Sequence, residues 1–567
     1  MAEPTQNIPA PGEPSGGTEF SMELRLLVAF LLMMAVLFLT PYFFRPPAHA
    51  PAGRQEAAQP VRTAPALPVT TPPAPQGQIA ADKEESLWID TDFYRVALSN
   101  RGGVVRSWIL KRYKDNNGKP IDLVNAAAAS KTGFPFSLLF PGQKPSVDLN
   151  QVLYAVKPTQ GGLGVDYEFS NGQVFSRKSF RFKKDSYLSE LSVEVTSGGR
   201  PLAALVSWRA GFGDRHVPNS WASQRTVQFD PAVNKLVVHT AKDAKNGPLV
   251  TEGNYLFAGI EDNYFAAVFL PVHGSGIRLL TYSDVVPATP GATEEPHVGA
   301  GVGSAGENRF ALFVGPKDME VLKKVNPSLV NLVDFGWFSF IAKPLFLAVN
   351  WVNRRFVHNY GWSIVIVTII INLLLLPLKF SSLKSMKKMQ MLQPQIAAIN
   401  ERYKGISMRD PRKAQQNQEI MELYKKHGVN PMGGCVPMLL QIPFFIAFYK
   451  VLTVAIEMRG ASWLWVTDLS QPEQLPIRIL PVTMIVTQFV LQKMTPSTTA
   501  DPAQQRMMLL MPLVLGFMFY GVSSGLVLYW LTGNLVGIIQ QLVFNRMIAA
   551  PVVPAPAPVR KKKGSRK

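Results

Sequence analysis

The sequence predicts a polytopic α-helical membrane protein with a large all-β domain outside the membrane. Apolar runs of about 15 to 25 residues, the length of membrane-crossing helices, occur once near the start of the chain and five times in its second half. Between these regions lie roughly 240 residues of a different texture, in which short alternating stretches are separated by Gly, Asn and Asp. Six transmembrane helices and one β-sandwich domain account for both patterns.

The first apolar run follows a Pro- and Gly-rich stretch, residues 1–21, that we expect to be a disordered cytoplasmic N-terminus. The run is long for the core of a signal peptide, and a proline directly follows the cleavage-like Ala-His-Ala after it. We therefore predict a retained first transmembrane helix over residues 22–44 rather than a cleaved signal peptide. Residues 45–85 are predicted to be a Pro/Ala-rich linker.

Residues 86–325 are predicted to form the β-sandwich domain. Strand-like alternation is clear in Trp88–Leu98, and similar runs occur at Val165–Phe169, Tyr187–Val195, Tyr255–Ile260 and Arg309–Val314. Gly301–Gly306 matches the dinucleotide-binding pattern G-x-G-x-x-G, but a strand follows where a helix must begin, so we interpret it as a flexible loop. The lone Cys435 allows no intrachain disulfide, so the domain must depend on its own core.

Residues 333–356 mix aromatic and basic side chains, as expected of an amphipathic helix in the membrane interface. A second transmembrane helix is predicted over 361–378. Residues 379–431 are too polar for lipid, with eleven basic residues against four acidic ones, and their apolar positions recur every three or four residues. A cytoplasmic helical hairpin is therefore predicted there. Residues 432–545 hold the remaining four predicted transmembrane helices, and 546–567 form a basic tail.

The formal net charge of +19 fits an anionic partner. Positive charge clusters in the hairpin and the tail, which predicts that both face the cytoplasm and that residues 45–335 lie on the outer side. The same charge could serve only as a topology signal, or it could contact ribosomal RNA or anionic lipid headgroups. The candidates for such contacts are Lys384, Lys387, Lys388, Arg402, Lys404, Arg412 and Lys413 in the hairpin, and Arg560, Lys561, Lys562 and Lys563 in the tail.

Asn372 lies deep in the second predicted span, with Thr368 one helical turn earlier on the same face. A single amide in a span usually bonds one helix to another. Polar residues recur, however, in four of the five late spans, which favours a shared hydrated groove. Further candidates by polarity are Gln441, Thr487, Gln488 and Asn534.

Motifs for catalysis do not fit their structural contexts. Gly521–Gly525 matches G-x-S-x-G, but it lies in a turn between two predicted spans, and no histidine falls inside a span. The sequence contains no HExxH, Walker A or paired-cysteine metal motif. We therefore predict no metal site and no bound cofactor.

Several motifs in the second half, taken in order, closely resemble the YidC membrane protein insertase family in its Gram-negative form: Gly361-Trp362-Ser363, Met391-Leu392-Gln393-Pro394, Val429-Asn430-Pro431-Met432-Gly433-Gly434-Cys435, Gln441-Ile442-Pro443-Phe444-Phe445, Gln492-Lys493-Met494-Thr495-Pro496 and Ser524-Gly525-Leu526-Val527-Leu528-Tyr529-Trp530. The resemblance implies six transmembrane helices, five of them forming the insertase core, and a periplasmic β-supersandwich. It also implies an inner-membrane insertase and chaperone, not an enzyme, that inserts, folds and helps assemble membrane proteins. Nascent membrane proteins, the Sec translocon and the ribosome are the implied partners, and no small-molecule substrate is expected.

In that family the core helices enclose a polar groove that receives the hydrophilic end of a nascent chain. By the matching motifs, Thr368, Ile442, Phe445 and Trp530 fall at groove or substrate-contact positions. Most members have an arginine or another cation where this chain has Asn372. We therefore hypothesise that hydration and local bilayer thinning support insertion here, and that hairpin lysines attract the substrate at the mouth of the groove.

Two other functions are compatible with parts of this sequence. A small-solute transporter also uses polar residues in mid-membrane, but it predicts inverted repeats with paired broken helices, and the sequence shows no such symmetry. A membrane-anchored carbohydrate-binding or sugar-modifying protein centred on the outer β domain is the other alternative. Residues 87–325 show no obvious catalytic cluster, which argues against it, but their plentiful Asp, Glu and Trp could line a binding cleft.

Overall fold

The computed structural model describes residues 77–115, 117–215, 223–272, 276–304, 308–406, 410–429, 436–495 and 502–547. The predicted first transmembrane helix over residues 22–44 and the tail residues Arg560, Lys561, Lys562 and Lys563 lie outside these ranges. So does Cys435.

Residues 78–316 form three antiparallel sheets. The largest has eleven strands, in the spatial order β1-β8-β9-β10-β20-β17-β16-β13-β14 with β7 beside β8 and β11 beside β10: β1 Gln78–Ile79, β7 Ala155–Pro158, β8 Gly164–Asn171, β9 Val174–Phe182, β10 Leu188–Ser197, β11 Arg200–Pro201, β13 Arg225–Asp230, β14 Lys235–His239, β16 Phe257–Glu261, β17 Phe265–Pro271 and β20 Asn308–Pro316.

A second sheet has five strands in the order β15-β18-β19-β12-β6: β6 Ser137–Leu139, β12 Leu205–Trp208, β15 Leu249–Gly253, β18 Ile277–Pro287 and β19 Glu294–Ser304. The third has four strands in sequence order: β2 Ser86–Asp90, β3 Tyr94–Ser99, β4 Val104–Lys114 and β5 Pro120–Asp122. The predicted alternation in Trp88–Leu98 is thus a hairpin of β2 and β3, because Thr91–Phe93 turn the chain between them.

Aromatic side chains join the three sheets into one core. Trp108 on β4 lies 6.4 Å from Trp208 on β12 and 5.9 Å from Phe182 on β9, measured between ring centroids. All three rings are buried. Because large aromatic rings contribute much of the apolar area that a core removes from water, this contact holds the predicted large β domain together.

Lys178 on β9 is buried in this core. Its ammonium donates to the carbonyl oxygens of Gly102 at 2.6 Å, Phe136 at 2.8 Å and Gly103 at 3.3 Å. Burial lowers the pKa of Lys178 to about 7, since the apolar surroundings penalise the charged form. The lysine ties the turn before β4 to the segment before β6.

The prediction of a flexible loop at Gly301–Gly306 is wrong for its first part. Gly301 and Gly303 lie within β19, paired with β12 and β18. A Cβ atom on Gly303 would lie 2.4 Å from Leu205 Cδ2. Glycine is needed because the neighbouring strand approaches closely, which is a common reason for glycine inside a strand.

The longer helices follow the β domain: α1 Met319–Val325, α2 Ser339–Val352, α3 Tyr360–Leu374, α4 Leu376–Arg402, α5 Arg412–Lys426, α6 Val436–Val454, α7 Ile479–Met494, α8 Pro502–Phe519 and α9 Ser524–Met547. Side-chain caps fix where two of them begin. Asp318 accepts hydrogen bonds from the backbone N–H groups of Glu320 and Val321, and Asn359 accepts one from Trp362.

A sharp bend separates α2 from α3. The chain bends by 116° between the helical segment Gly336–Val357 and α3. His358 makes the turn with a left-handed backbone, at φ 50°, directly after a short π-helical stretch. Trp337, Phe340 and Trp351 are exposed on the first segment. This geometry suits an amphipathic helix that lies in the interface beside a helix that enters the membrane.

The helix α3 ends at Leu374, whereas the predicted span runs to Leu378. Leu375 interrupts the helix, and residues 376–378 form the first turn of α4. Pro377 explains the early end, because proline lacks the N–H that would continue the hydrogen-bond ladder. With 15 residues, α3 is about 22 Å long.

The predicted number of six transmembrane helices is not confirmed. Within the described ranges, α9 alone is long and apolar enough to cross a bilayer, and the bent pair Gly336–Val357 with α3 adds a second crossing if it counts as one. Further apolar helices at Gln441–Val454, Ile479–Met494 and Leu509–Phe519 are shorter than this length.

The helices α4 and α5 form the predicted hairpin. Met389, Leu392 and Ile396 on α4 are buried with Val429, and Ile420, Leu423 and Tyr424 pack against them. The apolar stripe of period three and four is therefore confirmed as the seam between the two helices.

Candidate functional site

Asn372 lies in the last turn of α3 and is 3% exposed. Its Nδ2 donates to the carbonyl of Thr368 at 2.8 Å, and the Thr368 hydroxyl donates to the carbonyl of Ile364 at 2.6 Å. Both side chains thus bond backward along their own helix. These two bonds do not join α3 to another helix.

A cation meets this buried amide. Lys379 Nζ donates to Asn372 Oδ1 at 2.6 Å, and the lysine side chain is half-buried. By sequence, Lys379 is one of eleven basic residues after the predicted span, and it is absent from the predicted site. Helical spacing does not identify it, because the helix breaks at Leu375 between the two residues. Pro377 was the available signal, since proline interrupts a helix.

The helix α9 joins this place from the other side. Gln540 Nε2 donates to the backbone carbonyl of Asn372 at 3.2 Å. This bond connects α3 to α9 where α3 ends. A carbonyl at a helix end has no partner in its own helix, so the glutamine satisfies a group that lipid could not.

A second polar cluster connects α7 with α9. Asn534 Nδ2 donates to Thr487 Oγ1 and to the carbonyl of Met484, each at 3.3 Å. Trp530 Nε1 donates to Gln488 Oε1 at 3.1 Å. The predicted site residues Thr487, Gln488, Trp530 and Asn534 are therefore brought together, with Asn534 buried and the other three half-buried.

Aromatic rings lie beside this second cluster. Phe445 on α6 contacts Trp530 and Phe519, with ring centroids 5.3 Å and 5.5 Å away. Phe519 also lies 5.0 Å from Trp530. Phe445 and Trp530, two residues assigned to substrate contact by resemblance, thus touch each other directly.

The remaining predicted residues on α6 lie close by. Gln441 Nε2 donates to the Tyr529 hydroxyl at 2.6 Å, and Ile442 is half-buried one position later. Tyr529 is buried against Phe448, with centroids 4.1 Å apart. Tyr529, the hydrogen-bond partner of Gln441, is not among the predicted site residues. Its place next to Trp530 in the chain was the available signal.

The two clusters share α9. Asn534 and Gln540 are six residues apart, which is about 9 Å along a helix. The first cluster therefore lies at the α3–α4 junction, and the second lies nearer the start of α9. Together they bring polar groups of α3, α7 and α9 along one helix, which agrees with the distribution expected from the sequence.

The predicted hairpin cations divide into three groups. Arg402, Lys404 and Arg412 are in ion pairs with Glu419, Glu401 and Asp410, respectively. The Arg412 guanidinium lowers the pKa of Asp410 below its usual range. Lys387 and Lys413 donate to the side-chain carbonyls of Gln390 and Gln416, whereas Lys384 and Lys388 are exposed on α4. Of these seven cations, the two that are exposed and in no described ion pair, Lys384 and Lys388, both lie on α4.

Two family models match the chain. The model described as "60Kd inner membrane protein" matches residues 351–551, and the model described as "YidC periplasmic domain" matches residues 86–348. Both parts of the chain, the helices and the β domain, are thus recognised separately.

Relatives match over nearly the whole chain. The membrane protein insertase YidC of Geotalea daltonii is 35% identical over 555 residues, which cover 93% of this chain and 100% of the relative. That of Geotalea uraniireducens is 36% identical over 549 residues, with the same coverage. One similar solved structure is titled "Active YidC insertase crystal structure with the first transmembrane domain resolved". The match is 20% identical in sequence, covers 92% of this chain and 99% of that chain, and has a TM-score of 0.36. On the strength of the full-length relatives, the chain belongs to the YidC family of membrane protein insertases.

Proposed function

We propose that this insertase moves nascent membrane proteins into the bilayer along a hydrated, positively charged path beside α3, α7 and α9. Insertion of membrane proteins is the function of the family, and its members are inner-membrane proteins. The path itself is our inference from the two polar clusters. The observation that carries it is the hydrogen bond from Lys379 to the buried Asn372.

Lys379 gives the path its charge. A unit charge attracts a carboxylate about 4 Å away by roughly 4 kcal/mol near a protein surface, against about 1 kcal/mol in bulk water. A polar group without a partner costs several kcal/mol in hydrocarbon. One cation therefore offsets the cost of about one such group. A hydrophilic segment has many, so charge alone is insufficient and water must enter the path.

Short helices support a second contribution, from the bilayer. The helices α3 and α7 have 15 and 16 residues, or about 22 and 24 Å, whereas a hydrocarbon core is about 30 Å thick. A bilayer thins locally around spans that are too short for it. We propose that the substrate crosses at this thinned place, where its polar segment has the shortest distance to travel.

The geometry favours this role for Asn372 over the alternative of a helix clasp. Its side-chain amide bonds to its own helix and to Lys379, while the link between α3 and α9 runs through Gln540. The amide is thus used to hold an ammonium group. A clasp between two spans would instead bond the amide to α7 or α9, whereas Lys379 belongs to the helix that directly follows α3 in the chain.

The wider arrangement is also part of the proposal. We place six transmembrane helices in the inner membrane, both termini in the cytoplasm and residues 45–335 in the periplasm. The exposed Lys384 and Lys388 support contact of the hairpin with the ribosome or anionic lipids. Cooperation with the Sec translocon and contacts of the basic tail rest on the family resemblance. The absence of enzymatic activity, cofactor and metal stays a prediction.

Complementation of an insertase-depleted strain tests the proposal. Asn372→Leu removes the acceptor for Lys379 and should lower insertion of a dependent substrate. Thr453→Val is a matched control, because Thr453 also bonds to carbonyls of its own helix, on α6, and touches neither cluster. Normal insertion by the Asn372→Leu protein would contradict the role of the pair.

A further inference from the structure

The segment between α6 and α7, residues 456–473, lies over the beginning of α9, and we call it the outer cap. The backbone N–H of Ser524 donates to the carbonyl of Gln471 at 2.7 Å, and that of Gly525 donates to the carbonyl of Leu469 at 2.8 Å. The first N–H groups of a helix have no partner within it. The outer cap supplies partners for two of those at the start of α9.

The outer cap also holds the start of α7. Glu473 is buried, and its Oε2 accepts the backbone N–H of Leu480 at 2.8 Å. Its Oε1 accepts the indole N–H of Trp465 at 2.7 Å. A carboxylate at a helix N-terminus is favoured by the helix dipole, so Glu473 binds the outer cap to α7.

The third contact is with the start of α3. Asn359 Nδ2 donates to the carbonyl of Ser462 at 3.0 Å. The ring of Trp463 packs against Gly361 so closely that a Cβ atom there would lie 2.3 Å from it. The outer cap therefore contacts the first turns of α3, α7 and α9, the same three helices that carry the two polar clusters.

One buried ion pair connects the outer cap to the β domain. Arg459 of the cap pairs with Asp214, and the two side chains are 6% and 1% exposed. The guanidinium carbon of Arg459 lies 5.9 Å from the ring centroid of Tyr264 and 5.8 Å from that of Phe265. Tyr264 in turn hydrogen-bonds to Ser470 of the cap.

Asp214 is held rigidly on the β-domain side. The carboxylate of Asp262 accepts the N–H groups of Asp214 at 2.9 Å, Tyr264 at 2.8 Å and Phe265 at 2.6 Å. Gly213 permits this, since its φ is +91° and a Cβ atom on it would lie 1.9 Å from Asp262 Oδ2. The partner of Arg459 therefore has little freedom to move.

We propose that Arg459 is a positioning residue, and that its ion pair with Asp214 makes the β domain hold the outer cap closed over the polar ends of α3, α7 and α9. This inference rests on the proposed function and on the proposed orientation, in which the cap faces the periplasm. A hydrated path must be closed on one side of the membrane, because water continuous across the bilayer would let ions leak through it. The structure assigns that seal to the outer cap and its attachment to the Asp214–Arg459 pair.

The test measures access to a residue beneath the cap. Ser363 is buried in the first turn of α3, so Ser363→Cys in a Cys435→Ser background places one thiol there. A membrane-impermeant maleimide is added to spheroplasts prepared from cells that produce the full-length protein. Arg459→Gln should raise the labelling rate about tenfold or more, because a buried pair that loses one charge opens more often. Asp214→Asn should do the same, and it serves if the first variant fails to fold.

Controls separate a seal from general destabilisation. Arg354→Ala breaks the exposed pair with Glu320, which connects the π-helical stretch after α2 to α1, and should label as slowly as the parent. Asp214→Glu keeps the charge and should label at close to the parent rate. Folded Arg459→Gln and Asp214→Asn proteins, with melting temperatures near the parent's, that label at the parent rate would overturn the proposal. Labelling only in inverted vesicles would instead contradict the orientation, while insertion assays report on the proposed function separately.

Discussion

Lys379 Nζ donates to Asn372 Oδ1 over 2.6 Å and joins the first turn of α4 to the last turn of α3 across the break at Leu375. Most family members have a cation where this chain has Asn372. From the sequence, we expect hairpin lysines at the mouth of the groove to attract substrates instead. The structure places one ammonium group at the amide itself. The charge therefore lies at the α3–α4 junction, closer to the polar clusters than the exposed lysines of α4.

Lys379→Met should lower insertion of substrates with acidic polar segments about threefold to tenfold, which corresponds to about 1 kcal/mol. The expected cause is loss of attraction to carboxylates, so substrates with neutral segments should be affected less. Insertion is measured by protease protection of a radiolabelled substrate in a depletion strain.

Two further lysine variants serve as controls. Lys379→Arg keeps the charge and should retain most of the activity. Lys384→Met removes an exposed lysine of α4 and should have the smaller effect. Equal losses from Lys379→Met and Lys384→Met would show that the general charge of the hairpin matters, and not the contact with Asn372.

The position of Lys379 shows where sequence reasoning succeeds and fails on the helical half. Hydropathy located the apolar runs, and three polar residues predicted to line a groove, Thr487, Gln488 and Asn534, lie together near Trp530, because polar groups in spans need partners. Hydropathy could not show that the helix breaks at Leu375 or that a lysine after the break turns back toward Asn372. A span boundary drawn before the first charged residue, Lys379, separates this lysine from Asn372, which it contacts.

Gly361→Ala should destabilise the protein by about 1–3 kcal/mol, because its Cβ atom would overlap the ring of Trp463. Gly533→Ala is the matched control, since nothing lies within 4 Å of a Cβ atom there on α9. That change should be neutral or stabilising by up to about 1 kcal/mol, as alanine favours helices. Thermal unfolding in detergent measures both. Similar stabilities for the two variants would argue against close packing of the outer cap on α3.

Trp530→Phe should lower the unfolding free energy by about 1 kcal/mol, because Gln488 Oε1 loses the indole N–H as its donor. The aromatic contacts with Phe445 and Phe519 can persist, so larger losses are not expected. Trp337→Phe, at an 86% exposed position on the segment Gly336–Val357, should leave stability unchanged. Thermal unfolding of the purified proteins checks the pair, and a greater loss from Trp337→Phe would contradict the assigned contact.

Acid should weaken the β domain through His297. The side chain is buried beside Gln224, and burial, together with the charge of Arg215, lowers the pKa of His297 to about 4 from its usual 6.5. Between these values the unfolded chain takes up a proton that the folded chain does not. Stability should therefore fall by about 3 kcal/mol as the pH drops from 6.5 to 4, and level off below.

His297→Gln cannot titrate, so its stability should depend less on pH in that window. Melting temperatures of the parent and the variant between pH 4 and pH 7 make the comparison. A parallel pH dependence in both proteins would exclude His297 as the cause.

The β domain was predicted in outline and not in its connections. The strand at Val165–Phe169 lies inside β8, and Arg309–Val314 lies inside β20, because alternating residues signal a half-buried strand regardless of its neighbours. The pairing of β10 with β20, far apart in sequence, leaves no local signal. Nor does the Asp214–Arg459 pair, whose two residues are brought together only by folding.

Photocrosslinking to a stalled nascent membrane protein tests the central claim most directly. A photoreactive residue replaces Asn372 or Trp530 in the two clusters, and Leu542, exposed on the same helix as Trp530, serves as the control. The account predicts crosslinks from both cluster positions to the polar segment of the nascent chain, and fewer from position 542. Crosslinks from position 542 alone, with none from positions 372 and 530, would contradict a polar path beside α3, α7 and α9.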